Sequence, residues 1–248
     1  MIEFKTKEEI KRIKESGKIL HDALQAVKGS VKPGIKTIEL NEIFERFVLD
    51  SKAIPACKGY NGFPTGLCIS VNDEIVHGIP GERILEEGDV VSCDACVLYN
   101  GWFSDSTFTI IVGHPKRDID MKLVEITEQA FYIGIEQARV GKRIGDVSYA
   151  IQKFVEDNGF SVVREYAGHG IGKKMHEDPP VPNFGRPGRG PLIREGLCIA
   201  VEPMVCEGKP NLFIEENRWT AKTVDGLNAA HFEHTICIGN NGPEILTA

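Results

Sequence analysis

No stretch of this chain approaches the ~18 apolar residues from which a membrane-spanning helix is read, so no membrane partner is expected. No long run of lysine and arginine occurs either, so the footprint of a nucleic-acid binder is missing and no nucleic acid is expected. The first residues, Met1-Ile-Glu-Phe-Lys-Thr-Lys-Glu-Glu, are charged and lack the apolar core of an export signal. The seven cysteines are an odd number, scattered at 57, 68, 93, 96, 198, 206 and 237. That pattern does not read as a disulfide framework and points to a reduced, cytoplasmic protein. Cys93-Asp-Ala-Cys96 is a C-x-x-C in form only. On a strand, positions three apart face opposite ways, so the pair is poorly placed to chelate or cross-link.

What is present suits a large core. The chain has 248 residues, 42% of them hydrophobic, enough for one large domain or two small ones. The net charge is −7, from 29 basic and 36 acidic residues, and part of that excess is of the kind divalent cations offset. Thr6-x-x-Glu9 is a capping box. It opens a helix with a stripe at 10, 13, 17, 20, 24 and 27, stopped by Lys32-Pro33-Gly34. A second helix starts near Thr37 and carries Ile43, Phe44, Phe47 and Val48. Residues 53–80 are irregular around a strand-like Leu67–Val71. A helix is predicted over 118–139, then another ending at Asn158-Gly159. Val140-x-x-x-Ile144-x-Asp146 echoes Val31-x-x-x-Ile35-x-Thr37 between the helices of each pair. A strand (161–164), a Gly-rich loop (167–172), a Pro-rich loop (178–191) and strands near 197–202, 212–224 and 231–238 follow. Two helices followed by strands thus occur twice, which suggests similar halves in one domain.

The most informative segment runs from Gly88 to Val112. Asn100-Gly101 is a strong hairpin signal, because both turn residues must tolerate positive φ. With that turn, Tyr99 faces Trp102 and Cys96 faces Asp105. Asp94 and Asp105 then become diagonal neighbours on one face. Unpaired, two such acids repel and one pKa rises; a pair of divalent cations removes the conflict, and two-metal hydrolytic sites use carboxylate clamps of this kind. A solvated hairpin face is the plain alternative.

Further donors lie downstream. His169 sits in Ala167-Gly-His-Gly-Ile-Gly172, which lacks the Lys-Ser/Thr pair of a phosphate loop and could equally be a turn. Glu202 ends the apolar run Leu197–Val201 just before Pro203, so it is at a rim or paired. Glu233 shares a strand face with Thr235 and Cys237, opposite Phe232, His234 and Ile236. Two Asp, one His and two Glu form a hard set that suits two ions such as Co²⁺, Mn²⁺, Fe²⁺ or Zn²⁺. His77 and His176 could donate a proton or hydrogen bond near neutral pH.

Taken together, Val71-Asn-Asp-Glu-x-Val-His77-Gly-Ile-Pro80, Gly88-Asp-Val-Val…Asp94, Asp105, Gly168-His-Gly-Ile-Gly172, His176-Glu, Glu202-Pro and Glu233-His-Thr235 resemble the type I methionine aminopeptidases in their short bacterial form. The resemblance spans almost the whole chain. It implies an α+β pita-bread fold, with helices covering a curved, mainly antiparallel sheet. Residues 1–248 would form one catalytic domain with pseudo-symmetric halves at about 1–113 and 114–248. It implies that Asp94, Asp105, His169, Glu202 and Glu233 hold two divalent ions, and that Glu202 is also the general base. His77 would contact the substrate near the scissile bond, and His176 would polarise its carbonyl or stabilise the oxyanion. Cys57, Tyr60, Phe63, Cys68, His77 and Trp219 would form the methionine pocket. The substrate would be the N-terminal methionine of nascent polypeptides, with a small second residue, cut by a monomer compatible with proximity to the ribosome. Met175 stands where an aromatic is usual, His231 where a glutamine is common, and Ser92-Cys93 where an Asn-Ile type pair is usual. The competing expectations are a proline-directed hydrolase of the same fold, which usually carries an added N-terminal domain, and a non-catalytic relative that has lost ligands.

Overall fold

The computed structural model describes residues 1–248. Its helices are α1 (Lys7–Lys28), α2 (Thr37–Asp50), α3 (Asp118–Ile135) and α4 (Ile144–Asp157). Thr6 starts α1 as its sequence predicts: Thr6 Oγ1 accepts from the Glu9 N–H at 3.3 Å, and Glu9 Oε2 accepts from the Thr6 N–H at 2.9 Å. The buried stripe of α1 includes Ile13, Gly17, Leu20, Leu24 and Val27. Helices α2 and α4 begin alike. The Lys36 N–H donates to Glu39 and the Arg143 N–H to Asp146, each at 2.8 Å. The structural match is therefore Thr37 with Ile144 and Glu39 with Asp146, not Thr37 with Asp146 as the echo in the sequence has it. Helix α3 ends at Ile135, short of the predicted 139, because Ala138 N–H turns back to Ile135 and Arg139 N–H to Gln137.

The first strands are β1 (Ile54–Pro55), β2 (Cys68–Val71), β3 (Glu74–Val76), β4 (Val90–Tyr99) and β5 (Trp102–Ile111). After α4 come β6 (Ser161–Val162), β7 (Ala167–Gly170), β8 (Glu177–Pro182), β9 (Cys198–Val201) and β10 (Met204–Cys206). The last are β11 (Leu212–Ile214), β12 (Ala221–Thr223), β13 (Ala229–His231), β14 (Glu233–Gly239) and β15 (Gly242–Ile245). A nine-stranded sheet runs β1-β4-β5-β14-β9-β7-β8, with β2 on β4 and β15 on β14, every pair antiparallel. Two three-stranded sheets, β13-β10-β6 and β11-β12-β3, complete the structure.

Four readings of the sequence are corrected here. The Gly-rich segment 167–172 is not a loop: its first part is β7, held between β8 and β9. A Cβ on Gly168 would collide with the Ala200 carbonyl, so glycine is what lets β7 lie this close. The Pro-rich segment is also a strand over Glu177–Pro182. As the outermost strand, β8 can carry prolines that donate nothing to a ladder. The expected strand at 161–164 stops at Val162, and the strand predicted over 212–224 is two short ones.

Helices α1 and α2 cover β4 and β5 through Leu20, Leu40 and Phe44 packed with Ile69, Val91 and Val97. Helices α3 and α4 pack Leu123, Phe131 and Ile151 with Ile199, Val201 and Ile236. Full burial of each such side chain stabilises by roughly 1.5–3 kcal/mol. The sheet faces that these helices leave uncovered carry the polar side chains described next.

Candidate active site

The hairpin has the register its sequence predicts: Tyr99 pairs with Trp102, Cys96 with Asp105 and Asp94 with Thr107. Asn100 and Gly101 take φ of 48° and 80°. Asp94 and Asp105 therefore share a face. Cys93 points the other way into the core, whereas the Cys96 thiol donates to Asp105 Oδ2 at 2.6 Å. Strand β14 lies beside β5 and sets Glu233 opposite Thr107. The join is pinned by Thr235 Oγ1, which accepts from the Asp105 N–H and donates to the Asp105 carbonyl, both at 2.9 Å. Next to β14, β9 ends one residue before Glu202, and β7 places His169 opposite Ala200.

The donor atoms of Asp105, His169 and Glu233 all lie within 4.8 Å of one another. His169 Nε2 is 3.6 Å from Asp105 Oδ2 and 3.7 Å from Glu202 Oε1. Its Nδ1 is 2.9 Å from the Gly170 carbonyl, which takes the ring N–H in the neutral form. Nε2 then faces two carboxylates with a bare lone pair, an arrangement that calls for a cation between them. Thr107 Oγ1 lies 2.9 Å from both Asp94 Oδ1 and Glu233 Oε2, but a hydroxyl has one proton and serves one of them at a time. Asp105 Oδ1 and Glu233 Oε1 are buried without any partner.

The electrostatics state the same deficit of positive charge. Burial, then the Asp105 charge, pushes the Asp94 carboxyl well above its usual range. The same two causes raise Glu233. Burial lifts Glu202 to about 7, with His169 pulling down and Asp105 pushing up. Burial disfavours charge on His169, yet the neighbouring Asp105 and Glu202 outweigh it and raise the imidazole to about 9. Asp105 is also opposed by burial, but the His169 imidazole and the Cys96 thiol hold it below the usual carboxylate value. Four carboxylates share one imidazole that can be charged, and orphaned oxygens remain. Divalent cations with oxygen-rich coordination fit this donor set.

Beside the carboxylates opens a cavity of about 380 Å³. All the residues given a site role in the sequence line it. Asp94, Asp105, His169, Glu202 and Glu233 form one end, and Cys57, Tyr60, Phe63, Cys68, His77, His176 and Trp219 form the rest. Phe63 and Trp219 meet edge to face at 5.2 Å. The Tyr60 hydroxyl is 2.8 Å from His176 Nδ1, and the His176 ring sits 4.2 Å from that of His169. His77 has a positive φ of 60° and meets Tyr166 edge to face at 5.3 Å. Met175, noted in the sequence only as a departure, is buried in the wall.

Four residues at the site were not given a role from the sequence. Cys96 and Thr107 were placed on the right face, but their contacts with the carboxylates follow only from the register. Tyr166 lies in a segment without periodicity and carried no signal. His231 is buried and pushed down to about 3 by that burial, with its Nε2 3.7 Å from Glu202 Oε2.

Known proteins place this arrangement. The sequence model of "Metallopeptidase family M24" matches residues 11–240. A methionine aminopeptidase of Clostridium perfringens is 49% identical over 247 residues, covering 100% of this chain and 99% of the relative. Methionine aminopeptidase 1 of Bacillus subtilis is 47% identical, with the same coverage. The crystal structure of methionine aminopeptidase from Thermotoga maritima superposes with a TM-score of 0.98 at 43% identity, over 100% of this chain and 99% of that one. The sheet and its covering helices are thus the pita-bread fold, and the family implies use of divalent metal. Full-length identity of this order separates the chain from the proline-directed and non-catalytic alternatives. With these likenesses and the carboxylate-histidine cluster together, the chain belongs to metallopeptidase family M24, among its methionine aminopeptidases.

Proposed function

We propose that this chain removes the N-terminal methionine of nascent proteins and peptides, preferring a small second residue, and that Asp94, Asp105, His169, Glu202 and Glu233 hold two divalent ions. One observation supports this most. A carboxylate cluster short of positive charge and an apolar, sulfur-lined wall share one cavity. Bound divalent ions supply acidification of a water molecule and polarisation of the substrate carbonyl.

The chain's own groups do the rest. Glu202 accepts the proton of the attacking water and passes it to the leaving amine. The Tyr60 hydroxyl is 2.8 Å from His176 Nδ1; with the hydroxyl as donor, the proton of that ring is on Nε2. Nε2–H then donates to the carbonyl oxygen as negative charge develops there. His77 orients the peptide near the scissile bond. The thioether packs among Phe63, Trp219 and the Cys57 and Cys68 thiols, a setting that suits a polarisable sulfur. Fixing the first side chain in this pocket crowds the second, hence the preference for a small one. The seven free cysteines fit a reduced, cytoplasmic setting.

Metal-stripped protein should leave Met-Ala-Ser intact and cut it once Co²⁺, Mn²⁺, Fe²⁺ or Zn²⁺ is restored. Xaa-Pro peptides should remain uncut throughout. Glu202→Ala should abolish turnover, and His176→Ala should slow it greatly with the ions retained. Cleavage by chelator-treated protein, or near-normal rates in either variant, would contradict these roles.

A further inference from the structure

His231 is the side chain in this centre with the least to do. It is 2% exposed, and neither ring nitrogen has a hydrogen-bond partner. Buried polar groups left in that condition are destabilising and uncommon, so an orphaned imidazole asks for a partner.

Its backbone is fixed. The His231 N–H donates to Thr109 Oγ1 at 3.1 Å, and Thr109 Oγ1 lies 2.7 Å from Ser92 Oγ. His231 registers against Met204, and the Phe232 N–H donates to the Pro203 carbonyl at 3.2 Å. Met204 and Pro203 are the residues that follow Glu202. The two segments are therefore stitched together next to Glu202, and this sets the imidazole against its carboxylate, Nε2 to Oε2 at 3.7 Å. The other carboxylate oxygen, Oε1, lies 3.7 Å from His169 Nε2.

Glu202 thus has one imidazole at each oxygen, and the two rings differ. The Nδ1–H of His169 is taken up by the Gly170 carbonyl, which leaves Nε2 as a lone pair suited to a cation. Both nitrogens of His231 are uncommitted, so its proton can sit on Nε2 and point at Glu202.

We propose that His231 is a positioning residue for Glu202, its Nε2–H donating to Oε2 and turning Oε1 toward His169. It neither binds an ion nor touches the substrate. The present 3.7 Å is longer than a hydrogen bond. The ring borders a cavity of about 110 Å³ that it shares with Tyr166 and His77, which leaves room to close the gap. Such contacts tighten when a site engages its ligands. The inference rests on the role given to Glu202 above.

The test compares His231→Leu, which keeps volume and loses the donor, with His231→Gln, which keeps an N–H. His231→Ala is the second donor-free variant if the leucine does not fold. Each is stripped and titrated with Mn²⁺ by calorimetry, and kcat and KM are measured on Met-Ala-Ser. His231→Leu should bind Mn²⁺ at least ~10-fold more weakly, the usual effect of losing a group that orients a ligand. Its kcat should fall by a similar factor with KM little changed, and His231→Gln should recover most of both losses. Normal affinity and kcat in the donor-free variants would overturn the proposal, as would a glutamine variant as defective as the leucine. Adding His231→Leu to Glu202→Gln should cost no further affinity, because the two act as one unit; a full further loss would also overturn it. The reading of Glu202 fails by a separate sign, normal Mn²⁺ affinity and turnover in Glu202→Gln alone.

Discussion

Stripped of metal, the protein should lose stability as pH rises from 7 to 9, and added divalent ion should reverse the trend. The Glu202 carboxyl is lifted from 4.5 to about 7 in the folded chain. Folded protein then holds a proton that unfolded chain has released, so stability falls as pH rises across that window. His169 is raised from 6.5 to about 9, so its contribution is complete below 6.5 and is lost as pH rises through 9. Both act in the same direction, whereas buried His231 and His234, pushed down to about 3 and about 4, add stability as pH rises toward 6.5 and oppose Glu202 there. The Glu202 and His169 displacements each correspond to roughly 3 kcal/mol, at about 1.4 kcal/mol per pH unit. Their side chains are only 13% and 9% exposed, so solvent screening trims little. Raised Asp94 and Glu233 add to the same slope, whereas depressed Asp105 acts only below its usual 3.8. In a chain of this length, ~1 kcal/mol moves the melting midpoint by ~2–4 °C. Bound ions need the ligands deprotonated, so loaded protein should instead gain stability toward higher pH. Calorimetric melts of chelated and loaded protein at pH 5, 7 and 9 measure both slopes. A metal-free midpoint that does not fall between pH 7 and 9 would refute the reasoning, and so would a Glu202→Gln variant whose pH dependence between 5 and 7 matches that of the parent.

Three further outcomes are expected. Phe44→Ala empties a fully buried position between α2 and the sheet and should lose ~3–5 kcal/mol in urea unfolding, with Mn²⁺ affinity unchanged. Gly168→Ala drives a methyl group against the Ala200 carbonyl; calorimetry should show Mn²⁺ binding weakened at least ~10-fold although no donor is altered. Thr107→Val keeps the shape and removes the one hydroxyl shared by Asp94 and Glu233, and the same titration should report a loss of about tenfold.

The hairpin was legible because its information is local. Asn100-Gly101 fixes the turn, the turn fixes the register, and the register fixes which carboxylates share a face. The start of α1 was legible for the same reason, since a capping box needs only residues Thr6 to Glu9. Strands β7 and β8 were missed because glycine and proline ordinarily interrupt regular structure. Here they are tolerated by close packing against Ala200 and by an edge position, which are tertiary facts. The end of α3 was overshot because Gly134 lies inside the helix, where it makes room for Ile151, and the next glycine in the sequence is Gly141. His231 was visible as a departure from a resemblance but not as a neighbour of Glu202. That proximity comes from the pairing of β10 with β13, and a three-residue strand carries too little periodicity to announce a partner.

The nine-stranded sheet has a narrow waist. Strands β5 and β14 share only the pairs Glu233–Thr107 and His234–Ser106, against the ten-residue ladder of β4 and β5. Asp94 and Asp105 stand on one bank of that waist, and His169, Glu202 and Glu233 on the other. An ion held by donors on both banks would act as a rivet between two separately packed bodies of chain. Backbone amides of Thr107 and Glu233 are where slow proton exchange with solvent will register whether the rivet is in place.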